Sequence, residues 1–135
     1  MTKYAIICVD DELIILDTLK IQFKKLYGNR YLFEIAESVE EAWEVIEDLE
    51  QNEISIGIIV SDWLMPKVRG DKFLIDVHKK YPNIVKVMLT GQADEEAIER
   101  VKNKADLHYC LYKPWKEKDL YKVINSGMEK VCNQP

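Results

Sequence analysis

Ile56, Gly57, Ile58, Ile59, Val60, Ser61 and Asp62 form an apolar run that ends on a carboxylate, and Ala5, Ile6, Ile7, Cys8, Val9, Asp10 and Asp11 repeat that pattern. Neither run alternates apolar with polar residues, as a strand with one wet face would. Such runs suit strands of a parallel sheet covered by helices on both sides. These two are expected at its centre. Taking them as residues 4–9 and 56–61, three more strands read at 31–36, 85–90 and 107–111. The second of the five carries Glu34 among its apolar residues, as an edge strand can.

Between the strands, apolar residues recur every three or four positions, the period of an amphipathic helix. The stripes are Leu16, Leu19, Phe23 and Leu26, then Val39, Ala42, Trp43, Ile46 and Leu49, then Phe73, Leu74, Val77 and Tyr81. Ala97, Ile98 and Val101 make a shorter fourth, and Leu120, Val123, Ile124, Gly127 and Val131 a fifth. Local chemistry marks the boundaries. Gly28 and Asn29 can end the first helix, Ser38 with Glu41 forms a capping box, and Pro82 blocks continuation of the third. Strands alternating with helices, joined by right-handed crossovers, imply an α/β fold with an open, doubly wound five-stranded parallel sheet. Ligands of such sheets bind beyond the carboxyl ends of the strands, where the strand order reverses.

The chain has 135 residues, with 19 basic and 24 acidic giving a net charge of −5, and 47% of residues are hydrophobic. One domain is expected over 1–135. An acidic balance argues against a nucleic-acid surface, which needs clustered positive charge. The longest stretch without a charged residue, 54–61, is far shorter than the roughly 20 residues of a membrane-spanning helix. No secretory signal is readable at the N-terminus, so a cytoplasmic location is expected. Cys8, Cys110 and Cys132 show no metal-ligand spacing and read as buried, reduced thiols.

Chemistry gathers where the fold rule points. Asp10 and Asp11 follow the first strand, Asp62 the third, Thr90 closes the fourth, and Lys113 with Pro114 follows the fifth. Two carboxylates about 4 Å apart repel by roughly 4 kcal/mol at an effective dielectric of 20, so the acids call for a cation or a proton. An all-oxygen site favours Mg²⁺ or Mn²⁺. Each residue alone has an ordinary reading: Asp10, Asp11 and Glu12 as a helix's acidic first turn, Thr90 as a turn residue, Lys113 as a solvated charge. Together they supply what handles a phosphoryl group, namely a nucleophilic carboxylate, positive charge and a hydroxyl donor.

Four segments, Val-Asp-Asp-Glu at 9–12, Asp-Trp-Leu-Met-Pro-x-x-x-Gly at 62–70, Leu-Thr-Gly-Gln-Ala-Asp at 89–94 and Tyr-Lys-Pro-Trp at 112–115, resemble the receiver domain of two-component response regulators. The resemblance spans nearly the whole chain and implies the flavodoxin-like (βα)5 fold with strand order 2-1-3-4-5. It also implies that Asp62 accepts a phosphoryl group from a sensor histidine kinase or phosphotransfer protein. Asp10, Asp11, Asp62 and the backbone carbonyl of Leu64 then bind Mg²⁺. Lys113 pairs with the phosphoryl group, Thr90 moves toward it, and a cis bond before Pro114 aims Lys113 inward. Such a protein promotes its own phosphorylation and dephosphorylation without being a conventional turnover enzyme.

The chain departs from the family at Cys110, where an aromatic switch residue is usual, with Tyr109 and Tyr112 beside it. A phosphorylation-independent binding module is therefore an alternative. By the same resemblance, Leu64 and Gln92 occupy the positions that tune phosphoryl lifetime. Leu64 cannot orient water, whereas Gln92 can. Tyr109, Tyr112 and Trp115 lie where receivers meet an output domain or a second receiver, and Leu13, Ile14 and Ile15 where a kinase docks. No output domain is expected within this chain. Two other aspartate-bearing or similarly folded classes fit less well. A flavodoxin-like cofactor binder would set a phosphate where Asp10, Asp11 and Glu12 stand, and a haloacid-dehalogenase-like phosphatase needs an acid where Leu64 stands.

Overall fold

The computed structural model describes residues 3–92 and 94–134, so Ala93 of the 89–94 motif and the terminal Pro135 lie outside the described residues. The elements alternate: β1 (Ala5–Val9), α1 (Leu13–Tyr27), β2 (Leu32–Ala36), α2 (Val39–Gln51), β3 (Ile56–Asp62), α3 (Gly70–Lys80), β4 (Val85–Thr90), α4 (Glu95–Ala105), β5 (Tyr109–Tyr112) and α5 (Glu117–Cys132). All neighbouring strands pair in parallel, in the order β2-β1-β3-β4-β5. β1, β3 and β4 are buried along their whole length, as runs without polar alternation require. β2, one of the two edge strands, is half-buried until Ala36.

The helices cover both faces of the sheet. Ile7, Ile59 and Met88 point to one side and pack with Ile46 of α2, Phe73 and Val77 of α3 and Val101 of α4. Ile6, Ile58 and Leu89 point to the other and pack with Leu16, Leu19 and Phe23 of α1 and Leu120, Ile124 and Met128 of α5. Each expected stripe faces the sheet except at Leu26, which is half-buried outside both core layers while Tyr27 packs against the core instead. The capping chemistry holds at two ends: the Ser38 hydroxyl accepts from Glu41 N at 3.1 Å, and Gly28, at φ +58°, closes α1 by donating to the Lys24 carbonyl at 2.9 Å. A positive φ favours glycine there.

Three expectations need correction. The last strand covers Tyr109–Tyr112 rather than 107–111, because Asp106 ends α4 in a left-handed conformation and the ladder with β4 starts at Tyr109. Asp62 is the last residue of β3 rather than the residue after it. The cysteines, all free, are not uniformly buried: Cys8 is, Cys110 is half-buried, and Cys132, turned out of the apolar stripe at the end of α5, is exposed.

Candidate functional site

The chain runs from β1 to β2 on one side of β1 and then returns to place β3 on the other, so the order reverses between the carboxyl ends of β1 and β3. Asp10 and Asp11 leave β1 at that crevice and Asp62 ends β3 across from them. Carboxylate oxygens of all three lie within 4.8 Å of one another. Asp10 is fully buried, Asp62 nearly so, and Asp11 exposed. Asp10 divides its work: Oδ1 accepts from Glu12 N at 2.8 Å and shapes the entry to α1, while Oδ2 faces the cluster. The ordinary reading of Asp10, Asp11 and Glu12 as a helix's acidic first turn does not hold, since α1 starts at Leu13 and its first turn carries no acidic residue.

Lys113 reaches in from the end of β5. Its Nζ donates to Asp62 Oδ1 at 3.2 Å and lies 2.8 Å from Asp10 Oδ2. The one ammonium is thus shared between two buried carboxylates. The Lys113–Pro114 peptide is cis, and Lys113 N donates to the Thr90 carbonyl at 2.7 Å.

One ammonium does not balance three carboxylates. Burial, then the Asp10 charge, push the Asp62 carboxyl up from 3.8 to about 6, against the opposing pull of Lys113. Burial tends to lower the Lys113 amine, but Asp10 and Asp62 outweigh it and raise it. Hard oxygen donors, and a mutual repulsion that one ammonium does not relieve, fit a hard divalent cation.

A cavity of about 220 Å³ opens over the cluster, lined by Asp11, Glu12, Asp62, Trp63, Leu64, Thr90, Gly91, Gln92 and Lys113. A larger groove of about 450 Å³ lies at the opposite end of the strands, among Tyr4, Tyr81 and Val131. Among the described residues, the three-acid cluster lies at the smaller cavity, so chemistry and not size selects the site.

The structure thus brings together Asp10, Asp11, Asp62, Thr90 and Lys113, with Leu64 and Gln92 on the same wall. The Thr90 hydroxyl is already engaged: it donates to the Gln92 carbonyl at 2.6 Å and accepts from Gln92 N at 3.0 Å. It must leave that turn to donate to anything in the cavity. Cys110 is half-buried on β5, and burial pushes its thiol up, away from thiolate reactivity. Trp115 packs against the α1–α5 side of the core, and its indole N–H donates to Gln22 Oε1 of α1 at 2.8 Å. It therefore ties the start of α5 to α1. Tyr109, Tyr112, Leu13 and Ile14 are exposed, and Ile15 is half-buried.

The steric role of Gly70, quoted only as part of the 62–70 motif, and the pairing of Asp71 escaped the sequence reading. Gly70 must be glycine: a Cβ there would fall 1.8 Å from the Asp62 carbonyl oxygen. Asp71, next to it, is fully buried and held by Arg69 and Arg100. The fixed spacing of Asp62 and Gly70 was the available signal for the first. A partner 29 residues away left none for the second.

A family model described as the response regulator receiver domain matches residues 6–125. Among curated proteins, the hydrogenase transcriptional regulatory protein HoxA of Cupriavidus necator is 30% identical over 74 residues, which cover 55% of this chain and 15% of that protein. The chain thus matches a small part of that relative's length. Among solved structures, a response regulator receiver domain protein (CheY-like) from Methanospirillum hungatei superposes with a TM-score of 0.87 at 25% identity, covering 99% of this chain and 100% of that one. An uncharacterized protein from Neptuniibacter caesariensis gives 0.80 at 31% identity, covering 98% and 93%.

Proposed function

The chain belongs to the response regulator receiver domain family, and from that premise we propose that Asp62 accepts a phosphoryl group from a phosphohistidine on a sensor histidine kinase or phosphotransfer protein. The observation that carries this reading is the carboxylate cluster of Asp10, Asp11 and Asp62 with Lys113 Nζ 3.2 Å from Asp62. A carboxylate oxygen of Asp62 forms the new O–P bond as the N–P bond to the donor imidazole breaks, leaving an acyl phosphate. Transfer of this kind passes through a loose transition state, so positioning and charge do most of the work. Lys113 neutralises a phosphoryl oxygen, and the Thr90 hydroxyl, once released from Gln92, donates to another. Mg²⁺, or Mn²⁺ in its place, held by Asp10, Asp11, Asp62 and the Leu64 carbonyl, supplies the remaining positive charge when bound.

Residues 1–135 act in this reading as one receiver domain in the cytoplasm, passing the signal to an output domain or a second receiver. Among the described residues no helix is long and apolar enough to cross a membrane. A second reading, a binding module that needs no phosphorylation, is favoured by the engaged Thr90 hydroxyl and by Cys110 at the switch position.

Incubation with Mg²⁺ and acetyl phosphate, followed by intact-mass measurement, separates them. Gain of one phosphoryl group by the wild type and none by Asp62→Ala is expected. A folded, Mg²⁺-binding wild type that gains none establishes the second reading instead.

A further inference from the structure

Asp71 is fully buried at the start of α3, where an acidic residue ordinarily does no more than complement the helix dipole. Its surroundings say more. Arg69 grips it with both arms, Nε to Oδ1 at 3.1 Å and Nη2 to Oδ2 at 2.9 Å, and Nη1 of Arg100 reaches across from α4 to the same Oδ2. A carboxylate removed from water and shared by a guanidinium of its own segment and one of the neighbouring helix joins two elements at one point.

What it joins is the frame of the acidic site. Gly70, adjacent in the chain, donates its N–H to the Trp63 carbonyl at 2.7 Å, closing the loop that follows Asp62. Its Cα stands so close to the end of β3 that no Cβ fits against the Asp62 carbonyl. The strand end that carries Asp62 therefore rests on the first residue of α3. That residue's position is fixed from α4 through the Asp71 carboxylate. Arg100 sits on the helix entered from the turn that holds Thr90 and Gln92.

We propose that Asp71 is a positioning residue for the Asp62 carboxylate, holding the end of β3 in place from helix α4 through Arg100. Arg100 is then the outward end of the connection: its side chain is 36% exposed, whereas Asp71 is 1% exposed. Any acidic group that draws Arg100 away from α3 is felt at Asp62.

This inference rests on Asp62 being the phosphoryl acceptor, and the test separates the two. Wild type, Arg100→Met, Arg100→Lys, Asp71→Asn and the Asp71→Asn/Arg100→Met double variant are given acetyl phosphate. Phosphorylation rates are measured by intact mass at saturating Mg²⁺, Mg²⁺ affinity by tryptophan emission, and folding by circular dichroism. A small displacement of a reacting group costs up to about a hundredfold in rate, so a partial loosening in Arg100→Met should cost about tenfold at saturating Mg²⁺. Arg100→Lys should recover most of the rate, and Arg100→Met should add nothing in the Asp71→Asn background. A merely structural contact would lower melting temperature and leave the saturated rate unchanged. A wild-type rate in folded Arg100→Met overturns the inference alone, and because Arg100 is partly exposed this arm does not depend on Asp71→Asn folding. A wild type that takes no phosphoryl group overturns the reading of Asp62 and this inference with it.

Discussion

Replacing Asp62 by asparagine is expected to stabilise the metal-free protein, although it removes the group at the centre of the site. The ionised carboxylate is buried against Asp10 and near Asp11, and its carboxyl is pushed up from 3.8 to about 6. Each tenfold change in an ionisation equilibrium corresponds to about 1.4 kcal/mol, so ionised Asp62 costs the fold about 3 kcal/mol at pH 7.5. With only 8% of the side chain exposed, solvent screening discounts that figure little. The asparagine amide keeps an acceptor for Lys113, which also retains Asp10 at 2.8 Å. For a domain of this size each kcal/mol moves the melting temperature by about 3–5 °C, so a rise of about 10 °C is expected.

The pH dependence has a definite sign. The folded carboxyl titrates above its unfolded value, so the cost is full above about pH 6 and shrinks as pH falls toward 3.8. Linkage brings the advantage of the variant from about 3 kcal/mol at pH 7.5 to about 1 kcal/mol at pH 4.5. Urea or thermal unfolding in chelator measures both points. Added Mg²⁺ should narrow the gap at pH 7.5, since a ligand at a hundred times its Kd contributes about 2.7 kcal/mol to the form that binds it. An Asp62→Asn protein no more stable than wild type in chelator at pH 7.5, or an advantage independent of pH, refutes the electrostatic account of the cluster.

Gly70→Ala sets a methyl 1.8 Å from the Asp62 carbonyl oxygen, so a loss of at least about 1–3 kcal/mol is expected in chemical unfolding, together with slower phosphorylation. Unchanged stability would show that the end of β3 yields freely. Lys86, 2% exposed and donating toward His78 Nδ1 at 2.7 Å, is pushed by burial from 10.5 down to about 8. The folded state therefore prefers it neutral, the cost is present below about pH 8, and it fades as pH rises toward 10.5. After allowance for the lost contact to His78, Lys86→Met should gain about 1–2 kcal/mol at neutral pH and progressively less in alkaline urea titrations. A gain that does not fade rules out the charge as its cause. Leu64 lines the cavity over Asp62 without any group to hold water, so Leu64→Asn should shorten the life of the acyl phosphate. An unchanged decay rate, followed by intact mass, counts against that role.

The fold was legible because burial leaves its mark on neighbouring residues. Ile56 to Val60 and Ala5 to Val9 could be read as central strands from their lack of alternation, and the reversal of strand order then pointed to the crevice holding Asp10, Asp11 and Asp62. What stayed hidden depends on contacts between distant segments or on a conformation of the moment. Asp71 looks like any acid at a helix start, and only the packing of α3 on α4 brings Arg100 to it across 29 positions. Lys86 stands in the apolar run of β4 and went unremarked, because a strand interior does not reveal that the facing helix offers an imidazole nitrogen. Thr90 lines the cavity, yet its hydroxyl is turned back onto the Gln92 carbonyl, a local turn that residue type alone does not announce. Residue type and spacing specify which groups meet at the end of a sheet. How they are held is decided by helix packing, which brings together residues far apart in the chain.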